Sequence, residues 1–378
     1  MSTTAQVKSY GFQKPRMLAM MQERDLGVVL ITSPENVFYT TGLPCLPVSG
    51  QPMIYNLRNR LPFFSLIDCE GRTTLLCWGY AAEGISLDAD DVVGFKNREE
   101  AVECLKSLLR DKLSKCWSLG VESSCPYYVL DVIKETAHPE NSVLVVVDDL
   151  MARLRLIKSK KEIALVTQAT QIVQKTLRDL YDVMSVGMSR LELLREARYR
   201  MFKYGATGIS HLTCAFGGTN PEVAIDETLD EHKLVTLDLG AICDGYASDN
   251  RRYVYTGAVP DAILERHGKT VEIVDTLGAA LVAGNKFSKI HQLASELCAK
   301  EDIQLAYDHV GHSIGLETEE LRLTAETDIR IEQGMIVNIE LFSKLETGQS
   351  IGDEETYVID KTGPTRITSL SREIRSIS

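Results

Sequence analysis

At 378 residues the chain is too long for a single hydrophobic core, so two domains are expected. Its composition, 44% hydrophobic and 25% charged, is that of a globular protein. The net charge of −12 argues against nonspecific nucleic-acid binding and a polybasic membrane patch, and it means that any anionic ligand needs a local cationic pocket.

The opening stretch, MSTTAQVKSYGFQK, lacks the apolar run of a signal peptide. RMLAMMQERD (16–25) has helical spacing, and GVVLITS (27–33) suits a buried strand. RTTLLCWG (72–79) and VLVVVDDL (143–150) are further strand candidates, with the helix-like EEAVECLKSLLRDKL (99–113) between them. This alternation predicts an α/β domain over 1–155, a sheet covered by helices. LRLIKSKKEIALVTQATQIVQKTLRDLYDVMSVG (154–187) reads as one long amphipathic helix, with Gly187 as its stop. A second helix starts at the capping box of Ser189 and Glu192 and ends near Gly205. From about 208 strands dominate, with helices at 260–282 and 287–301, so 156–378 is expected to be an α+β domain. The domain boundary is placed near 155, in the basic LRLIKSKKE stretch.

Nine cysteines at scattered spacings, with no C-x-x-C pair, predict reduced thiols in a cytoplasmic protein. No run of eighteen apolar residues suits a membrane span.

In LDLGAICDGYASDNRRY (237–253), Asp244-Gly245 is a strong signal for a two-residue hairpin turn. Cross-strand partners around it sum to 489, so Asp238 faces Arg251 and Asp249 faces Gly240. Asp238 and Asp249 then share one face as diagonal neighbours, while Val235, Leu237 and Leu239 point into a core. Two carboxylates on one face repel unless a cation lies between them. Two readings fit: a metal site, or a solvated face on which Arg251 is the partner.

Other acceptors join this pair. His312 lies between glycines in GHSIGLETEE, in a run too flexible for core packing. Glu340 sits on a strand whose Val337, Ile339 and Leu341 face the other way, and Glu354 starts the next strand. A buried acid on an apolar strand is costly unless paired or ligated. An oxygen-rich set with one imidazole suits two divalent ions such as Mn, Co, Zn or Fe, not a thiolate-rich structural zinc site.

The order of these residues, with 11 positions from Asp238 to Asp249 and 63 more to His312, resembles the pita-bread metallopeptidase family. That family includes methionine aminopeptidase, Xaa-Pro aminopeptidase, prolidase and creatinase. LITSPENVFYTTG (30–42) resembles its "sp.Nv.YltG" stretch, and LRLIKSKKEIALVTQA (154–169) its "lR.iKs..Ei...r.A" opening. DLGAICDGYASDNRR resembles "D.Ga...gY.sD.tR", and GMIVNIEL resembles "GmvftiEp". The resemblance implies an α/β creatinase-like N-terminal domain, an α+β pita-bread catalytic domain and a homodimer. It implies two divalent metal ions held by Asp238, Asp249, His312, Glu340 and Glu354. Asp249 and Glu354 would bridge, and Glu340 would also relay a proton. The full ligand set separates the chain from creatinase, which belongs to the family but works without metal.

Two positions depart from the family's peptidases. A histidine is expected after the turn that here reads GGTNPEVAI, and its aligned position is Ile225. A second is expected after "GHgiGl", and Glu319 stands there. Neither His232, at the entrance of the next strand, nor His211, read as a surface or packing residue, replaces them. Glu319 is a candidate catalytic or substrate-facing carboxylate for a cationic group. Arg58 and Arg60, beside aromatics in YNLRNRLPFF, are candidates for gripping a substrate carboxylate, and the family's dimers allow this domain to lean over the partner's site. Arg252 is expected to brace the site and Tyr246 to be structural.

Three functions follow. The first is a metal-dependent Xaa-Pro dipeptidase or aminopeptidase. The second is a non-peptidase hydrolase or lyase of a small amino-acid derivative, like creatinase or ectoine hydrolase. The third is a catalytically silent binding protein. The absent histidines favour the second; the five retained ligands argue against the third. A dipeptide or another small molecule is the expected partner, with neither nucleic acid nor membrane.

Overall fold

The computed structural model describes residues 5–6, 10–47, 52–114, 118–136, 143–223, 225–345 and 348–377. Much of the opening stretch and Ala224 of the GGTNPEVAI turn lie outside them. The chain divides into two compact units, Met1–Arg155 and Leu156–Ser378.

The first unit runs β1 (Ala5–Gln6), α1 (Lys14–Glu23), β2 (Val28–Ile31), α2 (Pro34–Thr41), α3 (Met53–Leu57), β3 (Phe64–Asp68), β4 (Thr73–Trp78), β5 (Ile85–Ser86), β6 (Asp91–Phe95), α4 (Arg98–Leu113), β7 (Ser118–Val121), α5 (Tyr127–Thr136), β8 (Val143–Val146) and α6 (Asp148–Leu156), whose last residue opens the second unit. A six-stranded mixed sheet has the order β6-β4-β3-β2-β7-β8. The strand β2 is buried along its whole length, as its unbroken VVLI run requires. Leu105 and Leu109 of α4 and Val129 of α5 pack on the same core as Val28 and Leu30. The SPEN turn into α2 is held by buried Glu122. That carboxylate accepts from the Ser33 amide at 2.7 Å, the Ser33 hydroxyl at 2.6 Å and Asn36 Nδ2 at 2.7 Å.

The second unit continues with α7 (Lys160–Val183), α8 (Arg190–Lys203), β9 (Gly208–Phe216), β10 (Leu234–Cys243), β11 (Tyr246–Ala247), β12 (Asn250–Thr256), α9 (Asp261–Ala280), α10 (Phe287–Lys300), β13 (Gly311–Ser313), β14 (Leu321–Arg322), β15 (Ile336–Lys344), β16 (Ser350–Asp360), β17 (Gly363–Arg366) and β18 (Arg375–Ile377). One sheet has the order β11-β10-β12-β18 with β9 on the other edge of β10; the other has the order β14-β13-β15-β16-β17. Val337, Ile339 and Leu341 of β15 pack against Ile273, Val274 and Leu277 of α9 and Ile290 and Ala294 of α10. The opposite face of β15 is thereby left for Asn338 and Glu340.

The single helix expected over 154–187 is two helices. The residues between them end one and start the other, because Ser159 and Glu162 form a capping box at the start of α7. Apolar spacing continues across the break and hides it from a periodicity argument. Lys158, just before the cap, is buried against Glu320 with Nζ 2.8 Å from Oε2. The second capping box, Ser189 with Glu192, forms as expected. The eight described cysteines are free thiols. Among the described residues, no helix is long and apolar enough to cross a membrane.

Candidate metal centre

The centre is built on the hairpin of β10 and β12. Asp244 and Gly245 both have positive φ, 46° and 94°, as a type I′ turn needs. Cys243 pairs with Tyr246 and Asp238 with Arg251, the register read from the turn. On the outer side β9 runs antiparallel to β10 and places Thr213 opposite Asp238 and His211 opposite Gly240. The second sheet brings Glu340 and Glu354 directly opposite each other on β15 and β16, with His312 on β13 beside Asn338.

Four of the five residues expected as ligands are linked by close contacts, and Asp249 is the hub. His211 Nε2 lies 3.1 Å from Asp249 Oδ1 and 3.1 Å from Asp238 Oδ1. On its other side, Asp249 Oδ2 is 3.5 Å from His312 Nε2, which is 3.8 Å from Glu340 Oε1. Glu354 is buried, and its Oε1 accepts a 2.7 Å hydrogen bond from Asn338 Nδ2.

The electrostatics follow from crowding four carboxyl groups in a buried space. Burial pushes the Asp249 carboxyl up, but the His211 and His312 imidazoles outweigh it and hold Asp249 well below the ordinary carboxylate range. Burial raises Glu340 to about 7 and, with the neighbouring carboxylates Asp249, Asp238 and Glu340, raises Glu354 well above its usual value. Burial lowers the two imidazoles, but the adjoining acids prevail and bring His211 to about 10 and His312 to about 9.

Arg251 adds a fixed positive charge. Its Nε donates to Asp238 Oδ2 at 2.9 Å, a second guanidinium nitrogen donates to the same oxygen, and its guanidinium carbon lies 3.8 Å from the centre of the Phe342 ring. Arg252 turns the other way and braces β16. It donates to the Glu354 carbonyl at 3.2 Å and to Glu355 Oε1 at 2.7 Å. Tyr246 donates to Glu162 Oε1 at 3.0 Å, tying the hairpin to α7.

Two observations test whether these residues fit a divalent ion. His211, Asp238 and Asp249 can each aim one donor atom so that the three lie within 4.8 Å of one another. Asp249 Oδ1 is buried without an aligned hydrogen bond and has only the His211 imidazole, 3.1 Å away, beside it, an environment that a cation would satisfy. One imidazole and carboxylate oxygens are the donors of Mn, Fe, Co and Zn sites. The set fits.

Other sequence candidates stand as follows. Glu319 is exposed, and its Oε2 accepts from Arg322 Nε at 2.7 Å. Ile225 is an exposed coil residue. Arg58 and Arg60 belong to the first unit. Arg58 caps the short helix α3, with its guanidinium 3.7 Å from the Tyr55 ring centre; Arg60 is exposed. His312, expected in a flexible run, is in a strand and 1% exposed. Gly311, at φ 140°, brings the strand so close to β15 that a Cβ there would meet the Asn338 carbonyl.

The sequence reading set His211 aside as a surface or packing residue, and the structure corrects it. The ring lies across β10 against both aspartates because Gly240 has no side chain: a Cβ at 240 would meet the imidazole at 2.5 Å. The signal was an imidazole opposite a glycine on the neighbouring strand, readable only once that register is known. His309 was also passed over. It is buried, with Nδ1 3.4 Å from Glu340 Oε1 and its ring stacked on Tyr307 at 5.5 Å.

Comparison with known proteins gives the family. The model of metallopeptidase family M24 matches residues 164–361, over half of the chain. The chain belongs to metallopeptidase family M24. A model of the creatinase/prolidase N-terminal domain matches residues 15–157. Among relatives, the Xaa-Pro dipeptidase of Pyrococcus horikoshii is 24% identical over 95% of this chain and 97% of its own. That of Pyrococcus furiosus is 25% identical over 95% and 98%. The solved structure of the prolidase from Pyrococcus horikoshii OT3 superposes with a TM-score of 0.81 at 24% identity, covering 96% of this chain and 99% of that one. The fold is therefore an α/β creatinase-like domain followed by an α+β pita-bread domain, and the chain is a metal-dependent hydrolase of that family.

Proposed function

We propose that the protein is a dipeptidase of the Xaa-Pro type, dependent on divalent metal held by Asp238, Asp249, His312, Glu340 and Glu354. The observation that carries this reading is the hub at Asp249, whose two oxygens face His211 and His312 in a buried ring of acids. Similarity to Xaa-Pro dipeptidases over 95% of the chain supports the substrate class. A bound divalent ion supplies Lewis-acid polarisation of a substrate carbonyl and lowers the pKa of water. The chain's own part is to hold the acids against mutual repulsion and to exclude solvent from them. Glu340 would take and return a proton, a role supported by its position between His309 and His312. Manganese is the ion to try first, and a cytoplasmic homodimer is the expected form.

The test is hydrolysis of Xaa-Pro against Xaa-Ala dipeptides by Mn- or Co-loaded protein, with Asp249→Asn as control. Metal-dependent release of proline, absent in the control, supports the reading. No cleavage by protein that holds its metal sinks it.

A second reading is a non-peptidase hydrolase or lyase of a small amino-acid derivative. It is favoured by Arg251, which puts a guanidinium on Asp238 where the family motif has a threonine, and by the two replaced histidines. Glu319 and the pair Arg58 and Arg60 are its first candidates for substrate contact.

A further inference from the structure

The ligand set that the resemblance implies has one imidazole, His312. We propose that this centre has a second, His211, which completes a three-donor ion site with Asp238 Oδ1 and Asp249 Oδ1. The proposal rests on the metal-dependent reading above and adds a ligand to it.

Three independent features carry it. The first is distance. With bonds of about 2.0–2.2 Å to imidazole nitrogen and carboxylate oxygen, two donors of one ion are about 3 Å apart at right angles and about 3.4 Å apart in a tetrahedron. His211 Nε2 stands at 3.1 Å from each aspartate oxygen.

The second is an unmet need. Asp249 Oδ1, the oxygen turned to His211, is buried and makes no aligned hydrogen bond; the imidazole 3.1 Å away meets it by charge alone. An ion between the three donors satisfies that oxygen and explains the spacing together.

The third is construction. The ring reaches the aspartates only because position 240 is glycine, and Ser210 Oγ lies 3.1 Å from its Nδ1, where it can accept that nitrogen's hydrogen. Nε2, hydrogen-bonded to Asp238 Oδ1 at 3.1 Å, is then the nitrogen that exchanges its proton for the ion. His211 also lines a cavity of about 380 Å³ with Arg198, Leu212, Pro221 and Glu222. Its side chain is 23% exposed against 10% for either aspartate, so the site can be reached from solvent on the imidazole side. Imidazole with two carboxylates suits a divalent first-row ion such as Mn²⁺ or Zn²⁺.

The experiment reads the ion's ligands and not turnover. Mn²⁺ is titrated into metal-stripped protein, and imidazole nitrogen is detected on the bound ion by pulsed electron paramagnetic resonance. Wild type, His211→Gln, His312→Gln and the double variant are compared. In His312→Gln the nitrogen signal persists, because His211 still supplies it, and in the double variant it vanishes. His211→Gln alone weakens Mn²⁺ binding about tenfold or more, the scale on which even supporting groups around a metal act. A nitrogen signal that disappears with His312→Gln alone, or a His312→Gln protein that binds no Mn²⁺, overturns the proposal. Unchanged affinity in His211→Gln also overturns it, and this arm decides the question where His312→Gln does not fold. Wild-type protein that binds neither Mn²⁺ nor Zn²⁺ sinks the metal-dependent reading itself, a different result from the others.

Discussion

Arg251 and Asp238 face each other across antiparallel strands and are joined through two guanidinium nitrogens to one carboxylate oxygen. Asp238 is buried and the Arg251 side chain is only 12% exposed, so this pair is unlike a surface salt bridge. Breaking a buried pair by removing one partner costs about 3–5 kcal/mol, because the other charge stays behind. Arg251→Thr is therefore expected to lower the melting temperature of the metal-stripped protein. Added Mn²⁺ is expected to restore more stability to the variant than to wild type, since it replaces a missing cation. Thermal melts with chelator and with Mn²⁺ check this; an equal shift in both proteins would contradict it.

Asp249→Asn and Glu340→Gln are each expected to lower dipeptide hydrolysis by about 100-fold or more, beyond the 10–100-fold typical for groups that merely support a ligand. Both variants keep the side-chain volume. Circular dichroism should show an unchanged fold, and proline release gives the rate.

Gly240→Ala forces a methyl group into Ser210 Oγ and the His211 ring. Overpacking in a buried strand costs about 1–3 kcal/mol. The expected outcome is a lower melting temperature together with weaker Mn²⁺ binding. If stability falls and metal affinity is unchanged, the ring's position does not matter to the ion.

Tyr246→Phe removes the hydrogen bond from the hairpin to Glu162 and leaves the centre's own contacts in place. A loss of about 1 kcal/mol in urea denaturation is expected, with kcat unchanged. Ser159→Ala should behave alike, since it removes one arm of a capping box worth about 1 kcal/mol.

How much of this was legible depends on chain connectivity. The hairpin register around Asp238 could be counted outward from Asp244-Gly245, because a two-residue turn leaves no freedom of pairing. β9 is joined to β10 by a long loop, so nothing local sets their register, and His211 could not be matched to Gly240. The burial of Glu340 was readable from the apolar alternation of its strand. The strand at His312 was not: its three residues are too few for a period, and its backbone is fixed by contact with Asn338. The partner of Glu319 was not legible either: the exposed acid in the loop after His312 accepts from Arg322 at the end of β14, a contact that alignment does not give.

The buried ion pair between Lys158 and Glu320 decides how the catalytic unit can be cut for separate expression. Helix signals alone would suggest starting at the cap, Ser159. That choice discards the ammonium that Glu320 holds, and Glu320 in turn accepts from the Leu316 amide at 3.0 Å in the loop that follows His312. The amide of Lys158 also pairs with the Gly334 carbonyl at 2.9 Å, at the entrance to the strand bearing Glu340. A trimmed protein has to begin before Lys158, and one that begins after it would lose its grip on both His312 and Glu340 without a single active-site substitution.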